Sequence, residues 1–586
     1  MGWYKVSWAV QEDNDSHECF SLSMLKKEEN QIYISQNTNI DAFKNTSFLS
    51  GLLIIIFISL LFIFSSFLFL IGHSISKYVF YLSIIITIFS GCYISLKYFT
   101  GKVLLYTFIV LSVTILISFV LSLVFFDISY DGQGYHEEAI VQLANGWNPI
   151  YRELYSKNSD ENLNSFLWNN HYPKASEISQ ASLYKVTNLI ESGKTINLLL
   201  IFASFFLVFS CLCNFKKIKM FGATLLSMVA VLNPVVVSQS LTFYVDGELY
   251  SVLLCFLSVL YLFYLKQEKY LMIILVLMGI YFMNIKFTAV AYFLILSTGF
   301  LVIVLLNRKY ELFKKVLPIF AGSLLLSAFI FGYNPYVSNY VVHGNPFYPV
   351  KVSNRSNPWP YDKGDRPINI RFNKMNRFNK ILVSLFAKST DERDIQMKIP
   401  LMFNKNEILA FSYPDVRLGG FGPLFSGIVI INIVLLCASL MNFRKNKELY
   451  IAILFILFSV FINPECWWAR YVPQVWLIPI FTIIFLSVYQ KGALVKSSIV
   501  AGTLLIFLNV LSITIPYVHT QLKNSHLVSM QLKDLAKKKM PLKVEFVDFR
   551  ANRVRLNEHN IRYIEVDDIS DEESTTLYGS DTKIQN

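Results

Sequence analysis

The sequence predicts an all-α protein that crosses a membrane many times. Of its 586 residues, 54% are hydrophobic, 16% are aromatic and only 16% are charged, whereas about 25% are charged in an ordinary globular domain. This composition excludes a disordered chain, a soluble nucleic-acid-binding protein and a small secreted scaffold. The chain has 52 Lys and Arg and 40 Asp and Glu, a net charge of +12. In a membrane protein the positions of these charges are more informative than the net charge.

Apolar stretches long enough to cross a bilayer occur about thirteen times. A polar tail over 1–46 precedes them and contains no cleavable signal peptide. The stretches predict a transmembrane module over 47–517. Its predicted spans lie near 47–72, 76–96, 103–126, 196–213, 220–240, 247–265, 270–285, 287–306, 316–333, 421–442, 449–463, 471–489 and 497–517.

Basic residues are concentrated in one set of short connections between these spans. Such an excess marks cytoplasmic loops, so we expect a cytoplasmic N-terminus. The opposite, external face then holds long loops at about 127–195 and 334–420 and a tail over 518–586, whose pattern predicts a small α/β domain. The basic residues are Lys97, Lys102, Lys216, Lys217, Lys219, Lys266, Lys269, Arg308, Lys309, Lys314, Lys315, Arg444, Lys445, Lys447, Lys491 and Lys496.

Acidic residues cluster where the external loops meet the predicted spans. Asp127 and Asp131 follow the third span, and Asp246 precedes the sixth. A charge at the bilayer boundary is unfavourable unless water, a partner or a function accounts for it. Gly132, next to Asp131, favours close approach of the backbone to a ligand. We expect Asp131 to be functional, whereas Asp127 and Asp246 could also act as helix caps.

Two cations occupy the same boundary. Lys286 joins two spans almost without a loop, and Arg470 leads directly into the span at 471–489. A planar guanidinium can bind two phosphate oxygens, so we expect both cations to bind an anion. Snorkelling, or pairing of Arg470 with Glu465, is the alternative. Residues of the external loops and loop–span boundaries suited to contact a sugar are Tyr135, His136, Trp147, His171, Tyr244 and Trp468.

Acids, cations and aromatics at one membrane face suit glycosyl transfer. The sequence contains no P-loop and no strand-linked G-x-G-x-x-G, so a donor used on the outer face would be carried by a lipid. For a sugar on a polyprenyl phosphate, fixed cations would stabilise the leaving phosphate. One carboxylate would serve as the general base for the acceptor hydroxyl, with inversion at the sugar. No cofactor is required and no metal motif is present, although two acids could share a divalent cation.

Two segments resemble the GT-C superfamily of integral membrane glycosyltransferases, which use lipid-phosphate sugars. Segment 130–135, Tyr-Asp-Gly-Gln-Gly-Tyr, is similar to the Asp-Glu-x-x-Tyr segment of the protein O-mannosyltransferase and aminoarabinose transferase branch. Segment 469–473, Ala-Arg-Tyr-Val-Pro, resembles the late Arg-Tyr-x-x-Pro segment. The resemblance implies that Asp131 is the base and that Arg470 lies near the donor phosphate. Gly132 stands where the family has Glu, and the first external loop follows the third span instead of the first.

We therefore expect a multi-pass glycosyltransferase of the bacterial cytoplasmic membrane. Its partners would be an undecaprenyl-phosphate-linked sugar, a glycan, lipid or protein acceptor at the cell surface, and the bilayer, with no nucleic acid. Asp131 would be the base, with Asp127 or Asp246 assisting, and Arg470 and Lys286 would bind the phosphate.

Two alternative functions remain open from the sequence. A polysaccharide polymerase or ligase that uses diphosphate-linked oligosaccharides would rely on external arginines. A lipid or sugar transporter would have internal repeats and helices broken at mid-membrane, and no repeat is visible in the sequence. The arginines of the second long loop that keep the polymerase alternative open are Arg355, Arg366, Arg371 and Arg377.

Overall fold

The computed structural model describes residues 38–154, 163–350, 372, 374–390, 395–489, 492–571 and 574–585, which are mostly helical and end in a small sheet. Of the predicted N-terminal tail, 1–37 lies outside the described residues. The helices are α1 Thr38–Leu70, α2 Lys77–Tyr98, α3 Gly101–Val124, α4 Glu137–Ala144, α5 Leu163–His171, α6 Ala175–Thr187, α7 Thr195–Leu212, α8 Met220–Val231, α9 Pro234–Gln239, α10 Asp246–Lys266, α11 Lys269–Met283, α12 Phe287–Leu306, α13 Tyr310–Leu326, α14 Ser338–His343, α15 Arg377–Phe386, α16 Lys405–Leu409, α17 Phe425–Leu440, α18 Lys447–Phe461, α19 Leu477–Tyr489, α20 Ala493–Ala536 and α21 Asn552–Glu558.

Within the described residues, eight helices are long and apolar enough to cross a membrane. They indicate a multi-pass membrane protein and agree with the predicted class. The five other predicted spans fall on shorter helices, so the number thirteen stays a prediction. The eight segments are Asp41–Leu70, Lys77–Tyr98, Gly101–Val124, Ile190–Leu212, Asp246–Lys266, Phe287–Leu306, Tyr310–Phe331 and Ala493–Ala536.

The centre of the bundle is formed by α1, α7 and α10, which are mostly buried. Helix α7 packs along both of the others. A glycine permits the close contact of α1 with α7, because a Cβ on Gly51 would lie 2.7 Å from Leu207 Cγ. Small residues at helix contacts are typical of membrane bundles. Helices α2 and α3 are mostly exposed and cover the outside of this core.

At one end of the bundle, here called the lysine end, basic residues of two predicted cytoplasmic connections contact residues from other parts of the chain. Lys266 Nζ lies 5.4 Å from the ring centre of Phe48, and Lys315 donates to Gln267 Oε1 at 2.9 Å. The opposite end, the sheet end, collects the predicted external loops and the C-terminal sheet.

The predicted span at 220–240 is two helices in the structure. Helix α8 ends at Val231, and α9 begins at Pro234, which cannot donate a backbone hydrogen bond and is favoured in a first helical turn. Asn233 caps the new helix, because its side chain accepts from Val235 N at 2.9 Å. The break directs the end of α9, with Gln239, toward the first turn of α10.

The last predicted span, 497–517, is part of a much longer helix. Helix α20 has 44 residues, which corresponds to about 66 Å at 1.5 Å per residue, roughly twice the hydrocarbon thickness of a bilayer. The predicted tail domain, 518–586, thus begins inside a continuous helix. Val528 and Leu532, on the polar second half of α20, pack against the C-terminal sheet.

The C-terminal sheet confirms the small α/β element predicted for the tail. Its strands are β1 Leu542–Glu545, β2 Tyr563–Glu565, β3 Thr575–Thr576 and β4 Lys583–Gln585, in the order β2-β1-β4-β3. Strands β1 and β2 are parallel, with α21 in the connection between them, and the other pairs are antiparallel. A separate apolar core joins the sheet to α20 and to Phe126 and Ile128, just after α3.

Candidate active site

The loop over 125–136, here called the Asp131 loop, leads from α3 to α4. Asp127 is fully buried, and its carboxylate accepts from Ser129 N at 2.8 Å and from Phe243 N at 2.7 Å. Asp131 then precedes a π-helical turn that begins at Gly132. A Cβ on Gly132 would lie 2.2 Å from Asp127 Oδ2. The glycine thus lets the loop close on Asp127, whereas the sequence predicted close approach to a ligand.

Arg470 lies at the centre of a group of charged side chains, here called the Arg470 cluster and made of Asp131, Asp246, Lys286, Asp415 and Arg470. Its Nη2 is 2.8 Å from Asp131 Oδ2, and its Nη1 is 3.1 Å from Asp415 Oδ1. Its Nε is 3.2 Å from Asp246 Oδ2, and Lys286 Nζ is 2.5 Å from the other oxygen of Asp246. Four site residues predicted from separate parts of the sequence therefore meet.

The cluster has a buried base and a partly open rim. The side chains of Asp246 and Lys286 are 2% and 6% exposed, whereas those of Asp131 and Asp415 are 24% and 30% exposed. Burial lowers the pKa of Arg470, but the surrounding carboxylates outweigh burial and raise it, so the guanidinium stays charged. Any ligand that enters the cluster would reach the two exposed acids first.

The break between α8 and α9 supports the buried side of the cluster. Gln239, at the end of α9, donates from Nε2 to Asp246 Oδ2 at 3.2 Å, and its Oε1 accepts from Gly247 N at 2.8 Å. Lys286 Nζ lies 4.4 Å from the ring centre of Tyr471, a cation–π contact. Asp246 is therefore held at both oxygens and serves as an anchor for the two cations.

Aromatic rings surround the guanidinium of Arg470. Its Cζ lies 4.9 Å from the ring centre of Tyr244, 5.2 Å from that of Trp468 and 5.3 Å from that of Tyr471. Burial, followed by the charge of Asp131, raises the pKa values of Tyr135 and Tyr244. Both hydroxyls thus remain protonated and can donate hydrogen bonds. Tyr135, Tyr244 and Trp468, all predicted to contact the sugar, lie in or beside the cluster.

Three other residues predicted to contact the sugar point to different partners. Trp147 is completely buried and donates from Nε1 to Arg152 O at 2.6 Å. His171 Nδ1 is 2.9 Å from Asn339 Oδ1. His136 packs on Tyr135 but forms a buried pair of 2.6 Å with a glutamate of α6. In the part of the chain that the structure describes, these three residues hold the loops through other contacts and make no ion pair with the Arg470 cluster.

Two residues at the cluster were not singled out from the sequence. Asp415 stands near the end of the second long loop, and its only sequence signal is its spacing from Arg417, whose Nη2 is 4.0 Å away. Tyr172 follows His171 directly. Burial, together with the nearby carboxylates Asp246 and Asp131, raises the pKa of the Tyr172 hydroxyl. Both loops contain several acids and tyrosines, so the sequence around Asp415 and Tyr172 does not mark these two as site residues.

Asp127 belongs to a second charged group, here called the Arg555 network and made of Asp127, Glu137, Glu191, Lys194 and Arg555. Arg555 Nη2 is 2.8 Å from Glu191 Oε1 and 3.2 Å from Glu137 Oε2. Lys194 Nζ is 2.5 Å from Glu191 Oε2. Asp127 makes no ion pair with Arg470 or Lys286 among the described residues. If Asp127 assists Asp131 as predicted, it would do so by fixing the conformation of the Asp131 loop.

Glu558, beside the Arg555 network, gives a pH-dependent prediction. It accepts from Ile190 N at 2.7 Å, and burial raises its pKa to about 7 from an ordinary 4.5. The folded chain then binds more protons than the unfolded chain between these values, so the free energy of unfolding should fall as pH rises from about 4.5 to about 7. Thermal unfolding in detergent should show a smaller decline for Glu558→Gln. An identical pH dependence in the variant would contradict this prediction.

Of the four arginines that would favour a polymerase, the structure describes only Arg377, and it does not contact the Arg470 cluster. Arg355, Arg366 and Arg371 lie outside the described residues, and exposed Arg377 donates to Phe461 O at 2.9 Å. In the described ranges no group of three or more His, Cys, Asp and Glu side chains suits a metal ion. No family model and no curated protein sequence matches this chain, so the chemistry of the cluster has to be inferred from its own residues.

Proposed function

We propose that this chain is a membrane glycosyltransferase that uses a sugar linked to a polyprenyl phosphate. The contact between Asp131 and Arg470 is the observation that supports this function most directly. The two residues are 339 positions apart in the sequence, yet their side chains meet at 2.8 Å in a partly exposed cluster. A base for the acceptor and a cation for the leaving phosphate are the two groups that inverting transfer from a phosphate donor requires.

In the proposed reaction, the acceptor hydroxyl oxygen attacks the anomeric carbon as the bond from that carbon to the phosphate oxygen breaks. The hydroxyl proton passes to the carboxylate of Asp131. The phosphate leaves as an anion and needs no general acid, because Arg470 and Lys286 supply positive charge. Single displacement inverts the anomeric configuration. These steps require no metal ion or other cofactor.

The charges of the resting cluster suggest an order of events. Arg470 is paired with three carboxylates, and a donor phosphate would compete with the two exposed ones, Asp131 and Asp415, for its Nη atoms. Asp246, buried and held by Gln239, would keep its contacts with both cations. Donor binding would therefore release Asp131 from Arg470 and free its carboxylate to accept the proton of the acceptor.

The lysine end of the bundle is the proposed cytoplasmic side, because basic loops are retained there. The Arg470 cluster, at the sheet end, would then face the outside of a bacterial cytoplasmic membrane. Nucleotide sugars are absent from that face, and undecaprenyl phosphate is the carrier we propose. The acceptor would be a cell-surface glycan, a lipid or a protein.

The test is transfer by the purified chain in nanodiscs, supplied with a panel of polyprenyl-phosphate sugars and hydroxyl acceptors. We expect release of polyprenyl phosphate and a product of inverted configuration, with Asp131→Asn as the inactive control. Turnover only with diphosphate-linked oligosaccharides would instead favour a polymerase or ligase. Movement of a lipid or sugar across proteoliposomes without bond cleavage would favour a transporter.

A further inference from the structure

Arg555 inserts from the C-terminal domain into the base of the Asp131 loop. It lies on α21 and is only 2% exposed. Its Nη2 donates to the backbone oxygen of Asp127 at 2.8 Å, and its Nη1 donates to Gln133 Oε1 at 3.2 Å. The same guanidinium pairs with Glu137 and Glu191. One side chain thus contacts the Asp131 loop, the start of α4 and the segment that leads into α7.

These contacts lie on both sides of Asp131 in the sequence. Asp127 precedes it by four residues and Gln133 follows it by two, while the carboxylate of Asp131 itself contacts Arg470. The Asp131 loop is therefore held between two arginines. Arg470 pairs with the functional carboxylate, and Arg555 fixes the backbone and side chains that flank it.

Further contacts join the C-terminal domain to the same loop. Gln133 Nε2 donates to Gly579 O at 2.7 Å. The rings of Tyr130 and Phe549 meet edge to face with centroids 5.4 Å apart. A Cβ on Gly579 would lie 2.8 Å from Ile128 Cβ. The C-terminal domain therefore contacts residues 128, 130 and 133, on both sides of Asp131 in the sequence. The carboxylate of Asp131 itself contacts the Arg470 cluster.

Glu137 of the Arg555 network has Arg555 as its cationic partner. Glu137 is fully buried, and in the described structure its closest cationic partner is Arg555 at 3.2 Å. A buried carboxylate without a cation is unfavourable. Docking of the domain and order in the loop are therefore coupled through a single ion-pair network.

We propose that the C-terminal domain is a clamp on the Asp131 loop and that Arg555 is a positioning residue for Asp131. Its effect on catalysis rests on the proposed function, whereas the clamp itself can be measured without any transfer. Displacement of a reacting group by about 1 Å can reduce turnover about 100-fold. Loss of Arg555 should therefore affect turnover more than binding of the donor.

The experiment compares the full-length chain with Arg555→Gln in nanodiscs. Hydrogen–deuterium exchange should accelerate in 125–136, with no change in α12, and kcat should fall by about 10- to 100-fold. The Kd for polyprenyl phosphate, the probe for the donor site, should change less than about twofold, because Arg470 and Lys286 are untouched. Arg555→Lys should restore part of kcat, because it keeps the charge.

Arg553 provides a matched control on the same helix. It pairs with Glu138 at 2.9 Å, beyond the Asp131 loop, and its side chain is more exposed. Arg553→Gln should change exchange in 125–136 and kcat much less than Arg555→Gln does. If Arg555→Gln does not fold, Phe549→Ala provides the second test, because it loosens the contact with Tyr130 and leaves no buried charge unpaired.

The outcomes separate the clamp from the proposed reaction. Unchanged exchange and unchanged kcat in Arg555→Gln, or in Phe549→Ala if that variant replaces it, would overturn the clamp. A loss of polyprenyl-phosphate affinity equal to the loss of kcat would also overturn it, because Arg555 would then act on binding. If the native chain transfers no sugar but exchange in 125–136 still depends on Arg555, the reaction is wrong and the clamp stands.

Discussion

Asp131→Asn is expected to lower kcat for sugar transfer by about 10²- to 10⁴-fold, the contribution of a positioned general base. Asparagine has nearly the same shape, so the Asp131 loop keeps its contacts with the C-terminal domain. Its amide cannot accept the proton of the acceptor hydroxyl. Arg470 retains Asp246 and Asp415 as partners, and the variant should express normally. Turnover in nanodiscs with saturating donor and acceptor measures the effect.

Binding of polyprenyl phosphate gives Asp131→Asn a second, opposite readout. The substitution removes one of the carboxylates that compete with phosphate for Arg470, so the Kd should stay the same or decrease. Asp415→Asn is the matched control, because Asp415 pairs with the same guanidinium at 3.1 Å and is similarly exposed. It should bind phosphate at least as tightly as the native chain and retain most of kcat. Full activity in Asp131→Asn would refute the proposed base.

Arg470→Gln is expected to lower kcat for transfer by about 10²- to 10³-fold and to destabilise the fold by about 3–5 kcal/mol, the usual effect of removing one partner from a buried ion pair. Asp246 would lose one of its two cations, and the ring of Tyr244 would lose the cation that lies against it. A preorganised donor for a developing anion contributes about 10²- to 10³-fold in kcat. Thermal unfolding, polyprenyl-phosphate binding and turnover measure the three effects.

Two variants separate charge from geometry in this prediction. Arg470→Lys keeps the charge, but an ammonium group cannot reach three carboxylates as the planar guanidinium does, so stability should recover more than turnover. Arg417→Gln removes a cation at the rim, 4.0 Å from Asp415, and should have little effect on stability. Phosphate binding by Arg470→Gln as tight as that of the native chain would contradict the assigned role.

The sequence predicted that Asp131, Asp246, Lys286 and Arg470 lie at the same end of the bundle. Each of them stands where a predicted loop meets a predicted span. Spans alternate in direction, so residues at every second boundary lie at the same end of a bundle. The break at Asn233-Pro234 also had a local signal, since proline ends one helix and favours the start of the next.

The remaining residues of the site have no local signal in the sequence. Asp415 lies within the second long loop, and its position depends on how that loop folds over the bundle. Arg555 lies in a short helix of the tail, where it reads as an ordinary surface cation. Its role follows from the docking of the sheet on the loop, a contact between residues 428 positions apart. Composition and periodicity describe single elements and do not specify such a contact.

The distance between Arg555 and its partners along the chain has a consequence for biosynthesis. Ribosomes add about 5–20 residues per second, so the Asp131 loop leaves the ribosome roughly 20–90 s before the arginine that contacts it 428 positions later. During that interval Glu137 and Glu191 have no Arg555 to pair with. The loop at the proposed active site therefore reaches its final arrangement only after residue 555 has been translated. A nascent chain that stops before Arg555 would insert its first helices without the contacts that hold the Asp131 loop.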